Sequence, residues 1–156
     1  MEQSSKTLTF VVPAYNMETY LERCVESLLS ATDNSDIEVL IVDDGSSDGT
    51  PELADMYERR WPGNVRAIHQ VNKGHGGAVN TGIANATGMY VKVVDADDWV
   101  DMPSIDTLMG TLRVQRVATD PVDMIVTNYV YDKVGKRVKH TVNFRHAMAT
   151  NTVLGW

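Results

Sequence analysis

Short apolar segments rich in β-branched residues alternate along the chain with segments in which apolar residues recur at helical spacing. The first kind is typical of strands that are buried on both faces, and the second of helices with one apolar side. The pattern predicts strands at residues 7–12, 37–42, 65–69, 89–94 and 122–127. It predicts helices at residues 17–31, 50–60, 76–86 and 103–117, and a hairpin within residues 128–144.

Two predicted helices begin with local signals. Asn16 precedes the first helix and is a candidate N-cap, because its side chain can accept a hydrogen bond from a free backbone N–H. Thr50, Pro51 and Glu52 supply the second helix with a capping residue, a proline at the first helical position and an acid in the first turn. Both helices are therefore predicted to start just after the turns that follow the first two strands.

Alternation of strands and helices with short connections predicts an α/β sandwich, three layers with a mostly parallel central sheet. Such sheets bind ligands beyond the carboxyl ends of their strands. The first four strands are followed by polar, acidic or glycine-rich turns at residues 13–16, 43–50, 72–77 and 95–98. We therefore expect these four turns to converge on one edge of the sheet.

The turn after the fourth strand places three carboxylates, Asp95, Asp97 and Asp98, within four residues, after a strand expected to be buried. Like charges at this spacing raise one another's pKa unless something neutralises them. Mg²⁺ and Mn²⁺ suit sites with one or two carboxylates and substrate phosphates, so one interpretation is a metal that bridges protein and diphosphate. The alternative is a solvated acidic turn that caps the next helix through Asp101.

The other two polar turns are less specific. The segment from Asp43 to Ser46 is either an Asx-type turn with a glycine at positive φ, or a turn that offers a carboxylate to a ligand base. The segment after the third strand combines glycines, which let backbone approach a ligand, with Lys73 and a helix N-terminus that favour phosphate. It matches neither a Walker A loop nor a G-x-G-x-x-G fingerprint.

Three single residues receive structural interpretations. His75 could contact a phosphate, but a plain loop histidine is favoured. Cys24 lies on the apolar stripe of the first helix and is expected in the core. Trp99 is expected to pack beneath the acidic turn.

Composition narrows the class of protein. The chain has 156 residues, 43% of them hydrophobic, and a formal net charge of −7, which argues against a nucleic-acid binder because that needs a basic face. A single cysteine excludes an internal disulfide framework and a multi-cysteine zinc site. No apolar run approaches a membrane span and no signal peptide is visible, so a cytoplasmic location is expected.

The acidic excess has a predicted location. Seven acids in the two acidic turns equal the whole excess of 21 acidic over 14 basic residues, namely Asp43, Asp44, Asp48, Asp95, Asp97, Asp98 and Asp101. The sequence therefore predicts a nearly neutral body with one acidic edge, which would receive an anionic diphosphate through a metal.

Together these turns resemble the family 2 glycosyltransferases, which have the GT-A fold. The matching segments lie, in order and at matching spacing, at residues 11–16, 41–50, 72–74, 80–83 and 95–98. The resemblance implies a Rossmann-like GT-A domain, residues 1–156, that binds a nucleotide-diphospho-sugar. It implies an inverting transfer of a hexosyl or N-acetylhexosaminyl group, commonly from a UDP-sugar, to a hydroxyl of a glycan or lipid-linked glycan, in cell-surface polysaccharide synthesis.

The resemblance also implies roles for particular residues. Residues Pro13, Ala14 and Tyr15 would line the nucleoside pocket. Asp44 would accept a hydrogen bond from the base, Asn72 would border the same pocket, and Lys73 would lie near the phosphates. The D-x-D pair around Ala96 would place Asp95 toward ribose or metal-bound water and would have Asp97 bind Mn²⁺ or Mg²⁺.

The chain departs from the family pattern in two respects. Val79 stands where many members carry an arginine, so Lys73 or His75 would have to replace its contact to the nucleotide. The general base is expected beyond Trp156, because the later acids Asp123 and Asp132 lack the motif. This piece is therefore expected to bind donor without full activity, and membrane association is expected only through segments outside it, at the inner face of the membrane.

Two other functions share some of these features. A receiver-type signalling module also has paired acids after a strand. It needs a lone phospho-acceptor aspartate at the end of a central strand, however, and the three-acid cluster and the turn at residues 13–16 are not expected in it. A sugar nucleotidyltransferase also uses metal-bound acids, but it carries a basic glycine-rich loop at the first strand, where this chain has Pro13 to Asn16.

Overall fold

A computed structural model of the chain describes residues 6–132 and 139–144. These residues form two compact units that divide between Val117 and Ala118. The elements are β1 (Leu8–Ala14), α1 (Leu21–Leu28), β2 (Ile37–Asp43), α2 (Thr50–Arg60), β3 (Val65–His69), α3 (Gly74–Asn85), β4 (Tyr90–Val93), α4 (Met102–Arg116), β5 (Tyr129–Tyr131) and β6 (His140–Val142). No helix in the described part is long and apolar enough to cross a bilayer.

The first unit is built on a four-stranded parallel sheet with the strand order β3-β2-β1-β4. All seven positions of β1 and all seven of β2 are buried, as expected of central strands in an α/β protein. This sheet confirms the predicted α/β class and the predicted strands at 7–12, 37–42 and 65–69 to within two residues.

The fourth strand differs from its predicted environment. It was expected to be buried, but β4 lies at the edge of the sheet and pairs only with β1 among the described strands. Val91 and Val93 are consequently 42% and 37% exposed. Apolar residues therefore mark the strand correctly, but burial also requires a neighbour on the other side.

The predicted strand at 122–127 is wrong, because residues 122–127 form no strand. Met124 and Val126 remain exposed there. Strand propensity depends on a partner strand, and none of the strands in the described residues pairs with this run. In the described part of the second unit, β5 and β6 pair antiparallel, which agrees with the hairpin predicted within residues 128–144. The expected turn around residues 133–136 lies outside the described residues.

Helix starts are set by contacts between the turns. The helix predicted from residue 17 begins at Leu21, and Asn16 is not its N-cap but lies at a positive φ of 54°. Its Oδ1 accepts a hydrogen bond from the Ser47 N–H at 2.8 Å, so the side chain is used by the neighbouring turn. Thr50 likewise is the first residue of α2 and not its cap, because Asp48 accepts from the Thr50 N–H instead.

Helix α4 begins as its capping interpretation predicted. Asp101 is the N-cap, and its carboxylate accepts from both the N–H and the hydroxyl of Ser104. At the other end Arg113 donates to both carboxylate oxygens of Asp36, which ties α4 to the start of β2. These two contacts fix the helix that follows the acidic 95–98 turn.

A buried carboxylate holds the connection between α3 and β4. Glu38 on β2 is 3% exposed and accepts hydrogen bonds from the Thr9 hydroxyl, the Thr87 N–H and the Arg66 guanidinium. Burial opposes its ionisation, but these donors outweigh burial and hold the pKa of Glu38 below its usual value. The network lies near the amino ends of the strands, away from the turns at the other edge.

Helix α3 packs closely on the sheet because Gly82 has no side chain. A Cβ at this position would overlap the side chain of Val11, which is fully buried on β1. Gly110 on α4 has open space around the same position. The two helical glycines therefore offer a matched pair for testing this packing.

We predict that Gly82→Ala lowers the free energy of unfolding by about 1–3 kcal/mol, because a β-branched buried neighbour cannot move aside easily. Gly110→Ala should raise it by about 0.5–1 kcal/mol, because alanine is the better helix former. Urea denaturation of both variants measures the difference. A Gly82→Ala protein as stable as the wild type would contradict the close approach of α3 to β1.

Candidate functional site

The four polar turns meet at the carboxyl edge of the sheet around a cavity of about 500 Å³. Eight of the nine residues predicted for the site line it, namely Pro13, Ala14, Tyr15, Asp44, Asn72, Asp95, Ala96 and Asp97. Three residues that sequence reasoning did not consider for the site line it as well, namely Met17, Gly74 and Ala78, and so does His75, which was considered as a possible phosphate or nucleotide contact. The structure therefore brings together residues as far apart in sequence as Pro13 and Asp97.

Asp44 is the most tightly held acid of the cavity. It is 2% exposed, and its Oδ1 accepts hydrogen bonds from Gln70 Nε2 at 2.6 Å and from the backbone N–H of Lys73 at 2.8 Å. Burial opposes its charge, but these bonds and the backbone of Gly74 outweigh burial and lower the pKa of Asp44. Asp44 is therefore an ionised, fixed hydrogen-bond acceptor at the cavity wall.

Lys73 occupies the site differently from the other predicted residues. It is the N-cap residue of α3, and it reaches Asp44 with its backbone N–H. Its side chain is absent from the cavity lining and passes over Gly77, where an added Cβ would overlap Lys73 Cβ. The contribution of Lys73 to the described cavity is thus the position of its backbone.

The turn after β1 is fixed against the turn after β2. The Asn16 N–H donates to Ser46 Oγ at 3.0 Å, and the Met17 N–H donates to Thr50 Oγ1 at 2.8 Å. Tyr15, between these contacts and β1, is 49% exposed and lines the cavity. An aromatic ring is therefore presented at the cavity mouth by a backbone that side chains hold in place.

The acidic turn after β4 faces the same cavity from the other side. Asp95 and Asp97 line it, and the Asp98 N–H closes the turn by donating to the Asp95 carbonyl at 2.8 Å. Burial and then the charges of Asp97 and Asp95 raise the pKa of Asp98. The structure thus places the carboxylates of Asp95 and Asp97 at the cavity, while Asp98 is exposed and is not among the lining residues.

His75 lies at the start of α3, and its Nε2 is 2.8 Å from Asp95 Oδ1. The interpretation of His75 as a plain loop histidine is therefore wrong. The pair joins the turns after β3 and β4, which are 20 residues apart, and no local pattern marks such a contact. The general expectation that strand ends converge was the available signal.

The chemistry of this donor set limits which metal site is feasible. The described part of the chain contains no group of three or more His, Cys, Asp or Glu side chains that could hold a metal ion. Asp95 and Asp97 nevertheless direct two carboxylates at one cavity. Mg²⁺ and Mn²⁺ are commonly held by one or two carboxylates together with phosphate oxygens. The residues therefore fit a metal that is shared with a bound diphosphate, and do not fit an all-protein cage.

Residues of helix α1 contact the acidic turn and the residues that follow it. Cys24 Sγ donates to the Asp95 carbonyl at 3.7 Å, and Ser27 Oγ accepts from the Val100 N–H at 3.1 Å. The Arg23 guanidinium lies 3.3 Å from the centroid of the Trp99 ring, a cation–π contact. Cys24 is fully buried, which confirms its predicted place in the core, whereas Trp99 is 36% exposed under Arg23.

The predicted acidic edge is only partly realised. Of its seven acids, Asp44, Asp95 and Asp97 line the cavity. Asp48 instead accepts from the Thr50 and Glu18 N–H groups, and Asp101 caps α4. Most of the acidic excess in these turns therefore satisfies backbone donors, which the count of charges could not distinguish from ligand contacts.

Comparison with known proteins identifies the family. The profile of Glycosyl transferase family 2 matches residues 9–153, and the chain belongs to this family. The putative glycosyltransferase EpsH of Bacillus subtilis is 34% identical over 131 residues, which are 83% of this chain and 36% of EpsH. The chain thus spans about a third of that relative's length. This membership sets aside the receiver-type and nucleotidyltransferase alternatives.

Solved structures agree with the fold. S. aureus TarS 1-349 in complex with UDP-GlcNAc superposes with a TM-score of 0.63 at 26% identity, over 70% of this chain and 32% of TarS. The mannosyltransferase PcManGT from Pyrobaculum calidifontis, in complex with GDP-Man and Mn²⁺, superposes with a TM-score of 0.60 at 27% identity, over 71% of this chain and 32% of PcManGT. The predicted GT-A fold is thereby confirmed.

The burial of Cys24 against the acidic turn predicts that its thiol reacts slowly. Burial, followed by the charges of Asp98, Asp97 and Asp95, raises the pKa of the Cys24 thiol to about 12. Since the thiolate is the reactive form, we predict that a disulfide reagent labels the native protein at least about a hundredfold more slowly than the urea-unfolded protein.

The control uses the exposed face of the same helix. Glu22→Cys in a Cys24→Ser background should react at once, because position 22 is exposed. Rapid, stoichiometric labelling of native wild-type protein would show that α1 does not seal this side of the acidic turn.

Proposed function

We propose that this chain is the donor-binding part of an inverting glycosyltransferase that uses a UDP-sugar and a divalent metal. The observation that carries the proposal is the cavity at the carboxyl edge, with Asp44 on one side and the Asp95–Asp97 pair on the other. Membership in Glycosyl transferase family 2 supports a transferase, and the UDP-GlcNAc bound to TarS supports a nucleotide-sugar donor.

The nucleoside is assigned to the side of the cavity formed by the turns after β1, β2 and β3. Tyr15 presents an exposed ring there, and Asp44 is an ionised acceptor that suits the imide N–H of uracil. Pro13 and Ala14 line the cavity and would form the floor of this pocket, and Asn72 would border it. The rigid hydrogen bonds of Asp44 would let it select a base by geometry.

The diphosphate and the sugar are assigned to the side of Asp95, Ala96 and Asp97. Asp97 would hold Mn²⁺ or Mg²⁺ and Asp95 would face the ribose or a metal-bound water, with the ion neutralising the charge that develops on the leaving diphosphate. His75 donates to Asp95 Oδ1 when its Nε2 carries a proton, and so fixes the direction of that carboxylate. The Mn²⁺ in the PcManGT complex supports a metal in this role.

The acceptor side of the reaction is proposed from the family alone. The chain would serve as one GT-A donor domain, and a carboxylate outside it would deprotonate the hydroxyl of a glycan or lipid-linked glycan. A hexosyl or N-acetylhexosaminyl group would be transferred during cell-surface polysaccharide synthesis, in the cytoplasm at the inner face of the membrane. Donor binding is therefore the activity to test on this chain.

We predict that calorimetry detects UDP binding that strengthens when Mn²⁺ is present. Asp95→Asn and Asp97→Asn should each remove most of the Mn²⁺-dependent gain, about tenfold or more in affinity, because a charge-assisted contact is worth about 1.5–3 kcal/mol. GDP should bind more weakly than UDP if Asp44 and its neighbours select the base.

Asp101→Asn is the matched control. It removes the same charge a few residues further on, and asparagine retains the capping function that Asp101 has in α4. This variant should bind UDP and Mn²⁺ as the wild type does. UDP binding that needs no metal and survives loss of both Asp95 and Asp97 would refute the metal assignment.

A further inference from the structure

The last residue of β3 bridges two carboxylates that come from different elements. His69 Nδ1 lies 3.0 Å from Asp43 Oδ2 at the end of β2, and His69 Nε2 lies 3.1 Å from Asp55 Oδ1 on α2. Asp43 is 4% exposed and is the cross-strand partner of His69 in the sheet. Neither the proposed donor contacts nor the fold of β3 requires a histidine at this position.

Only a protonated imidazole can donate to both carboxylates. A neutral ring has one N–H, so its other nitrogen would face a carboxylate oxygen as a second acceptor. The hydrogen bond to Asp43 raises the pKa of His69, partial burial opposes it, and the bond to Asp55 raises the pKa further. Glu58, one turn after Asp55 on α2, accepts from the Ala67 N–H.

Asp43 also holds the turn that carries Asp44. Its second carboxylate oxygen accepts from the Ser46 N–H at 3.0 Å, across the turn in which Gly45 takes a positive φ of 75°. The residue after His69, Gln70, donates to Asp44 itself and is held in turn by the hydroxyl of Thr81. Two consecutive residues at the end of β3 therefore hold two consecutive acids at the end of β2.

We propose that protonated His69 is a positioning residue for the base-binding turn, and that loss of its proton weakens donor binding by releasing the Asp43–Ser46 turn. This inference rests on the proposed function, since it assigns Asp44 to the donor base. A neutral His69 either leaves Asp43 without its imidazole donor, or keeps that bond only as an uncharged, weaker one and gives up the contact to Asp55 on α2. Because the pKa is raised in the folded protein, the stabilisation is complete below about pH 6.5 and is lost as pH rises through the folded pKa.

A merely structural role for His69 gives a different expectation. If His69 only linked α2 to the sheet, its titration would change the stability of the protein with pH and would leave the affinity for the donor unchanged. The affinity profile across pH, compared between wild type and variants, therefore separates positioning from support. The ratio of the wild-type affinity to the variant affinity at each pH removes effects that both proteins share, such as the ionisation of the ligand.

The test is calorimetry of UDP with saturating Mg²⁺ from about pH 5.5 to 8.5, alongside NMR titration of the histidine ring protons. The wild-type affinity should fall by about threefold to tenfold across the titration of His69. His69→Gln should lack this step. Asp55→Asn, at a half-exposed position, should move both the NMR midpoint and the affinity step to lower pH, because one of the two carboxylates that favour the protonated ring is gone.

His140→Gln is the matched control, since it makes the same substitution in the second unit and should retain the wild-type step. Identical pH profiles for wild type and His69→Gln, with UDP bound by both, would overturn this inference and leave the proposed function standing. Failure of the wild type to bind UDP even at pH 6 would overturn the proposed function together with the inference. Circular dichroism of each variant at both ends of the pH range confirms that the fold is retained.

Discussion

The parallel register between β1 and β2 is the constraint on which the rest of the first unit depends. Ala14 pairs with Asp43, and the Asp44 N–H continues the ladder by donating to the Ala14 carbonyl at 2.8 Å. The turns that follow the two strands are consequently level with each other. The chain that leaves β1 does not enter a helix until Leu21, so its free N–H groups need acceptors, and the second turn supplies them.

The need to satisfy buried and unpaired polar groups also explains the arrangement of the acids in these turns. A carboxylate that is removed from water needs hydrogen-bond donors around it, and the buried acids here obtain them in different ways. Asp44 is held by amide groups, Glu38 by a guanidinium and hydroxyl, and Asp43 by an imidazole. For Asp98, partial burial and then the charges of Asp97 and Asp95 raise the pKa. Added positive charge near this turn would therefore be favourable, because it would offset the mutual repulsion of these carboxylates.

Local sequence reproduced those parts of the fold that local interactions decide. The continuous apolar run of β2 and the cap at Asp101 need no information from elsewhere, and both agree with the structure. The start of α1 could not be predicted in this way, because Asn16 serves the 43–50 turn and not its own helix. The exposure of β4 likewise depends on which strands pair with it. Residue pairs such as His75 with Asp95 join turns whose proximity only the topology specifies.

The 41–50 segment shows how far a family motif can be converted into chemistry. Within its polar part only Asp44 lines the cavity, whereas Ser46, Asp48 and Thr50 bind the connection between β1 and α1. The motif is therefore mainly a device for assembling two turns, with one ligand contact placed in it. Family membership follows from such a motif because the fold needs it. Even the cavity-lining residues Asn72 and His75 have such structural contacts, because Asn72 Oδ1 accepts from the Gly74 N–H and His75 Nε2 lies 2.8 Å from Asp95 Oδ1.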